Sequence, residues 1–420
     1  MTLRVTQEEQ SILDKIAPLQ AGLMTRLEAW SAVNSGSRNA AGLKEMRGLL
    51  AKAFTATGAV ITERALNPTE SVNADGEKKL THYEPALLIT QRPQAPIQIV
   101  FTGHYDTVFP ADYHFQKPDY LSETRLRGPG VADMKGGISV MLTALEMLEC
   151  SPKAGNIGYN VLLSPDEEIG SPGSAPLLAE LGRKSHLGLT YEPALADGTL
   201  AGARKGSGNF AVIIKGKAAH AGRDHHLGRN AIAAASRFVA KLDALNGQRD
   251  GVTFNIAKID GGGANNIVPE LAIARFNVRM IAADDTHWIQ TQIDDLVAQI
   301  DAEDGISAEL TGGFSRPPKP MAPANAQVFD WVKQAGGALG LEIAWSPSGG
   351  VCEGNNLWAS GCPNVDTLGV RGGNIHSDQE FMEVGSLAER ARLSTLILLK
   401  LASGEFDARA VKRPAMQEAG

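Results

Sequence analysis

Only three of the 420 residues are cysteine: Cys150, Cys352 and Cys362. They are too few and too scattered for a disulfide framework or a cysteine-rich structural zinc site, so a reducing cytoplasm is the simplest setting. No run approaches the roughly 18 apolar residues that a membrane-spanning helix needs. The opening stretch Met1-Thr2-Leu3-Arg4-Val5-Thr6-Gln7-Glu8-Glu9-Gln10 carries acidic and amide residues, where a signal peptide needs an apolar core of roughly 7–15 residues. Basic stripes are missing as well. A formal net charge of −7 and an isoelectric point near 5.8 argue against the clustered Lys and Arg that meet a phosphate backbone. Neither a membrane nor a nucleic acid is therefore expected as a partner.

What the chain does have is core. Its hydrophobic content is 43%, and its length points to about two to three domains. Helical apolar spacing runs from Ile12 to Val33 and again from Ala41 to Thr57, followed by a strand at Ala59-Val60-Ile61-Thr62. From Ile97 to Leu195 short apolar strands alternate with helices such as Gly137 to Leu148, the pattern of an α/β sheet covered by helices. After Arg204-Lys205-Gly206-Ser207-Gly208 the texture changes. Strands near 210–214, 253–259, 270–279 and 307–310, with helices at 230–245 and 286–300, give the order β-α-β-β-α-β of a ferredoxin-like unit. The stiff segment Arg316-Pro317-Pro318-Lys319-Pro320 ends it, and the α/β texture resumes with a helix from Ala326 to Leu339 and a strand near Asn364-Val365-Asp366-Thr367-Leu368. The expected organisation is an α/β domain over 1–205 and 316–420, with a central mixed sheet flanked by helices, and an inserted α+β domain over 206–315.

Several motifs rich in oxygen and nitrogen donors follow apolar runs. His104-Tyr105-Asp106 follows Ile99-Val100-Phe101, and Asp166-Glu167-Glu168 follows Val161-Leu162-Leu163. Asp133-Met134-Lys135-Gly136-Gly137, Tyr191-Glu192-Pro193 and His376-Ser377-Asp378 complete the set. Singly, each has an ordinary explanation: a hydrogen-bonded His–Asp pair, an acidic helix start, or a turn whose glycines allow close approach. Together, two histidines and at least three carboxylates, with no thiolate, form a hard to borderline ligand set that favours zinc, cobalt or manganese at an open, catalytic site. A ligand at the C-terminal end of a buried strand is held by the sheet and still faces a crevice.

At these motifs the chain resembles a known family. His104-Tyr105-Asp106-Thr107-Val108, Gly130-Val131-Ala132-Asp133-Met134-Lys135-Gly136-Gly137, Asp166-Glu167-Glu168-Ile169-Gly170-Ser171, Glu192-Pro193 and His376-Ser377-Asp378 are similar to those of the di-zinc peptidases that include glutamate carboxypeptidase, acetylornithine deacetylase, succinyl-diaminopimelate desuccinylase and aminoacylase. The resemblance begins at Leu27-Glu28-Ala29-Trp30-Ser31 and reaches the last helix. It implies a zinc-peptidase catalytic domain with an inserted lid that also serves as a homodimerisation surface. It implies two zinc ions per chain, with cobalt or manganese as substitutes. Asp133 would bridge them, His104 and Glu192 would complete one metal, and Glu168 and His376 the other. A cis peptide after Asp133 is implied too.

The same match implies further roles. Asp106 would fix the tautomer of His104, and Glu167, whose neighbour is committed to metal, would be the general base. His220, in Gly216-Lys217-Ala218-Ala219-His220-Ala221-Gly222, would stabilise an oxyanion from its own or a partner's lid. The following His225-His226 replaces the family's usual Pro-Glu pair. Asn266 and Arg279 would hold substrate oxygens, Arg279 facing a carboxylate for which a guanidinium fork is suited. Arg316, in an Arg-Pro pair, would lie near a side-chain carboxylate, and Gly350 belongs to a Gly-rich substrate loop, Ser348 to Asn356, in which Cys352-Glu353 replaces a Ser or Thr followed by Asp. The implied function is cleavage of an amide or peptide bond next to a free carboxylate in a small molecule or short peptide, most like a glutamate carboxypeptidase. The alternative is an N-acyl-amino-acid deacylase; more remote is a metal-binding homologue without activity, which would have no reason to keep all seven residues, the five ligands, the base Glu167 and the orienting Asp106.

Overall fold

The computed structural model describes residues 3–412. The architecture is α/β with an inserted ferredoxin-like unit. The fold separates into a catalytic unit, made of the chain up to Asn67, Tyr83–Arg204 and the chain from Pro320 onward, and an insert unit, made of Pro68–His82 and Lys205–Lys319.

The catalytic unit is organised on a six-stranded mixed sheet in the order Val60–Arg64, Ala86–Gln91, Ile157–Ser164, Ile97–His104, Leu187–Thr190, Asn364–Val365. The last four strands run parallel, and the first two are antiparallel additions at one edge. Alternating side chains feed two cores. Ile99 and Phe101 join the larger cluster with helices Lys135–Glu149 and Ser386–Ser403. Val100 and Leu162 face the opposite layer, with Leu177, Leu178 and Leu357 of helices Ala175–Lys184 and Glu353–Ala359. Strands buried on both faces read as continuous apolar runs, which is why the parallel strands were legible. A five-stranded sheet contains the hairpin Arg371–Gly373 and Phe381–Glu383, from whose turn His376 projects. The helix expected over Ile12–Val33 is divided into Gln7–Leu13, a 3₁₀ turn at Ala17–Leu19 and Gln20–Ser31. Pro18 sits at that turn, where its ring and missing N–H stop a continuous helix.

In the insert unit the sheet order is Thr253–Gly261, Leu271–Met280, Gly206–Lys215, Ser307–Arg316, with antiparallel neighbours throughout. Helices Ala231–Asp243 and Asp285–Asp301 cover one face through Phe238, Leu242, Ile289 and Ile293. Two boundaries differ from the sequence expectation. The last strand extends to Arg316, which pairs with Ser207, so the stiff exit begins only at Pro317. More notably, the hairpin Thr69–Val72 and Lys78–Thr81, expected in the first domain, belongs to the insert unit. Val72 packs on Ala211, Ile213 and Ile273 of the insert sheet; Lys78 pairs with Glu309 at 2.7 Å; and Arg275 donates to the Asn73 carbonyl at 2.8 Å. The chain therefore passes between the units four times, where the sequence pattern provides for two connections. A short polar hairpin has no periodic signal that names its tertiary partner.

Candidate active site

The parallel strands deliver the acidic motifs to one edge of the sheet. His104 ends strand Ile97–His104, Asp166-Glu167-Glu168 follows Ile157–Ser164, and Glu192 follows Leu187–Thr190. Asp133 comes from the loop before helix Lys135–Glu149, and its peptide to Met134 is cis, as the resemblance implied. Gly136 and Gly137 allow that helix to start against backbone: a Cβ on Gly137 would lie 1.9 Å from the Tyr191 carbonyl oxygen, and one on Gly136 2.2 Å from that of Val131. The glycines thus serve close approach, and Gly137 sets the spacing between the Asp133 and Glu192 segments.

The two oxygens of Asp133 face different histidines. Oδ1 lies 3.1 Å from His104 Nε2, and Oδ2 lies 3.3 Å from His376 Nε2. Glu192 Oε1 is 3.8 Å from His104 Nε2, and Glu168 Oε2 is 3.2 Å from His376 Nε2. The first set is buried, whereas the His376 side chain is 55% exposed, so the second set opens toward solvent. His376 has φ 63°, in the left-handed region that few non-glycine residues adopt outside tight turns. Glu167 also belongs near the first set, its carboxylate close to the ligand atoms of His104 and Glu192. Together with Asp133, Glu192, His376 and Gly350 it lines a cavity of about 310 Å³.

Asp106 does more than orient a histidine. His104 Nδ1 faces the Asp106 main-chain oxygen at 3.1 Å and a carboxylate oxygen at 3.3 Å. Both are acceptors, so Nδ1 carries a proton, and Nε2, which meets Asp133 Oδ1, is the nitrogen whose lone pair would face a bound metal ion. The same carboxylate accepts the backbone N–H groups of Glu167 and Glu168, each at 3.2 Å, and the Ser37 hydroxyl at 2.7 Å. It therefore ties the His104 strand end to the acidic turn. Glu380, which sequence reasoning missed, has a parallel role: its carboxylate accepts from the N–H groups of Gly130, Ala132 and Asp133 at 3.0–3.1 Å. Its only sequence signal is its place four residues after His376. Glu353 also differs from expectation. It is buried and accepts from the Ser164 hydroxyl rather than lining the cavity, which Cys352 and Gly350 reach instead.

The electrostatics are those of carboxylates packed without enough positive charge. Burial, followed by the charge of Asp133, pushes Glu168 up to about 8 and Glu192 well above the usual carboxylate range. Burial beside Asp133 likewise pushes Glu380 up to about 7, against the stabilising N–H donors. Hydrogen bonding to Asp133 and Glu168 raises His376 to about 11. Although burial opposes it, contact with Asp106 and Asp133 also holds His104 well above its ordinary value, while Asp133, despite burial, is held low by the two histidines. Such a cluster retains protons that cations can replace, and the oxygen and imidazole donors fit two divalent ions sharing Asp133.

The insert unit carries the other expected residues. His220 is exposed, and its Nδ1 accepts from the N–H groups of Gly222 and Arg223, each at 3.2 Å. That leaves Nε2 as the protonated, outward donor. Asn266 is exposed on the neighbouring loop, where its carbonyl accepts from Ala221 N at 2.8 Å. Arg279 and Arg316 both pair in register with Ser207, on opposite sides of its strand. Arg279 Nε donates to Asn277 Oδ1 at 2.9 Å, and burial, then the charge of Arg316, lowers its pKa.

Comparison with known proteins agrees with this architecture. The profile of the Peptidase dimerisation domain matches residues 202–305. Carboxypeptidase G2 of Pseudomonas sp. (strain RS-16) is 28% identical over 314 residues, covering 73% of this chain and 74% of that protein. A succinyl-diaminopimelate desuccinylase of Nitrosococcus oceani is 30% identical over 329 residues, covering 73% of this chain and 85% of that protein. Among solved structures, a dinuclear metal-binding peptidase of the M20 family from Bacillus subtilis superposes with a TM-score of 0.63 at 15% identity, over 92% of this chain and 99% of that one. With the identity and coverage shared with the desuccinylase, the α/β architecture and its inserted domain, the chain belongs to the M20 family of metallopeptidases and amidohydrolases.

Proposed function

We propose that this hydrolase uses two zinc ions to cleave an amide or peptide bond next to a free carboxylate, most like a glutamate carboxypeptidase. The observation that carries this reading is the division of Asp133, one oxygen toward His104 and the other toward His376, with Glu192 and Glu168 on the respective sides. His104, Asp133 and Glu192 would hold one ion, and Glu168, Asp133 and His376 the other; cobalt or manganese would satisfy the same donors. Bound divalent ions supply Lewis acidity to the scissile carbonyl and acidify water. Glu167, facing the cavity, takes the proton of the attacking water and returns it to the leaving nitrogen. Asp106 holds both the His104 tautomer and the turn that aims Glu167 and Glu168.

The insert would complete the site. His220, with Nε2 as donor, suits an oxyanion, and Asn266 suits substrate oxygens. Arg279 faces the substrate carboxylate, and the register that brings Arg316 to the same strand position suits a second carboxylate, as in a C-terminal glutamate. Gly350 offers main chain to the substrate. Association through the insert into a homodimer, supported by the dimerisation-domain match, would let His220 serve its own or the partner's site. The three cysteines, all in the thiol form, suit a cytoplasmic setting. An N-acyl-amino-acid deacylase is the second reading, favoured by the desuccinylase relative. A panel of N-acyl amino acids and dipeptides ending in Glu, Asp or Ala, assayed before and after chelation and zinc restoration, tests the proposal. Glutamate preference supports the first reading, broad preference for other acylated amino acids the second, and activity indifferent to complete metal removal sinks both.

A further inference from the structure

Strands Val60–Arg64 and Ala86–Gln91 of the catalytic sheet are antiparallel neighbours, and Arg64 pairs with Ala86. A tight turn could close the hairpin there. Instead the chain runs out over 65–85 as an arm, whose tip strands Thr69–Val72 and Lys78–Thr81 belong to the insert unit. Val72 is seated on Ala211, Ile213 and Ile273, and Ile213 lies about 26 Å of strand away from the junction at Lys205. The roots of the arm rest on two motif segments of the catalytic unit. The Tyr105 hydroxyl, between His104 and Asp106 in sequence, donates to the Pro85 carbonyl at 2.6 Å, and Arg47 holds Glu84 at 2.8 Å. Leu66 and Tyr83 lie against Gly173, where an added Cβ would stand 3.2 Å from Leu66 Cβ and 2.6 Å from Tyr83 Cδ2. Gly173 N–H donates to the Asp166 carboxylate at 2.7 Å, and Ser171 N–H to the Asp166 main-chain oxygen at 2.8 Å. The roots thus press on the segment that closes the Asp166-Glu167-Glu168 turn.

We propose that the arm is a positioning device, which ties the insert to the turn that carries Glu167 and Glu168, so that turnover depends on the tip being seated on the insert sheet. The inference rests on the proposed role of Glu167 as base. Only Asn67 and Pro68 lie between Leu66 and Thr69, and only His82 between Thr81 and Tyr83. Fully extended, these connections span about 11 Å and about 7 Å, and the fixed φ of Pro68 stiffens the first. A displacement of the tip beyond that slack reaches Leu66 and Tyr83, and through them Gly173 and the Asp166 carboxylate. The apolar seat of Val72 is what holds the tip. Lys78 pairs with Glu309 at 2.7 Å, but both side chains are about half exposed, and an exposed ion pair adds little.

Val72→Asp puts a charge into that seat, and a second variant replaces 69–81 by a short Gly-Ser turn, which removes the tip by construction. Hydrogen exchange in the full-length protein reads segment 163–175, which neither change touches and whose Gly170, Ser171, Gly173 and Ser174 N–H groups are all bonded within the turn. Exchange there should quicken and kcat should fall, each roughly 2–30-fold, the span that coupling through packed segments carries. Val72→Ile, which keeps the seat apolar, should match wild type in both. Unchanged exchange of 163–175 in the turn-replacement variant overturns the proposal, and so does a change confined to KM: the hairpin then only braces the insert. If Val72→Asp leaves the exchange of 68–82 itself unchanged, the tip is still seated and the replacement variant decides. If the replacement does not fold, Val72→Asp with quickened 68–82 exchange decides by the same readings. Should Glu167→Gln keep full turnover, the base assignment fails instead, and the exchange of 163–175 still judges the arm.

Discussion

Glu380 touches no expected ligand atom of the site, yet its replacement should disturb the metal site more than that of most polar residues. Its carboxylate accepts three main-chain N–H groups, from Gly130, Ala132 and Asp133, and it is 1% exposed. In Glu380→Gln the amide oxygen can still serve the adjacent Ala132 and Asp133 donors, but its NH₂ then confronts the Gly130 N–H. One charge-assisted bond, worth about 1.5–3 kcal/mol, is lost and two become neutral, so the expected destabilisation is about 2–4 kcal/mol. That corresponds to a fall in melting temperature of roughly 4–16 °C, at 2–4 °C per kcal/mol for a domain of about 150–250 residues. The displaced Asp133 backbone should also weaken metal retention roughly 10–100-fold, as loss of a supporting partner typically does. Thermal melts and metal content after graded chelation read the two effects separately. Asp378→Asn, on the outer part of the same turn, where the carboxylate meets the exposed His114 ring and the neighbouring Gln379 amide, is the control and should change neither beyond about 0.5 kcal/mol. If Glu380→Gln melts with wild type and keeps its metal at the same chelator concentration, the carboxylate does not position Asp133.

The geometry sets three other outcomes. Glu167→Gln should keep two metal ions per chain while losing about 10²–10⁴-fold in turnover; Glu168→Gln should lose metal as well, and equal metal loss in both would exchange or merge their roles. Gly137→Ala drives a methyl into the Tyr191 carbonyl, so overpacking of about 1–3 kcal/mol should appear in denaturant unfolding together with reduced metal content; a neutral result would mean the Asp133 and Glu192 segments separate freely. His220→Ala should cut turnover on the order of 10²-fold without displacing metal, and near-full turnover would remove the insert from catalysis and leave it as an assembly domain.

The grouping of the acidic and histidine motifs was legible in part because several of them follow apolar runs, while their division into ligands came from the family resemblance. A buried parallel strand writes its own boundaries in Val, Ile and Leu, and the residues just past its C-terminal end lie at the open edge of the sheet, so the His104 and Asp166-Glu167-Glu168 motifs could be placed there from the pattern. The ferredoxin-like order of the insert was legible for the same reason: each helix and strand of that unit buries one face against its own sheet. Glu380 and Glu353 were not. Both are buried carboxylates whose partners are main-chain N–H groups or a hydroxyl on segments far away in the chain, and a Glu reads the same whether it is solvated or satisfied by backbone.

Local order and hydrophobic period by themselves determined the α/β frame, the inserted unit and the residue types of the site, because these depend on periodicity and on donor chemistry that each segment carries alone. Tertiary structure alone decided which oxygen of Asp133 faces which histidine, that Asp106 serves two motifs at once, that buried Arg204 pairs with Asp366, and that the 68–82 hairpin belongs to the insert. Each of these is a pairing between segments distant in sequence, set by strand register, close glycine packing and the need to satisfy buried polar groups, and no single segment contains that information.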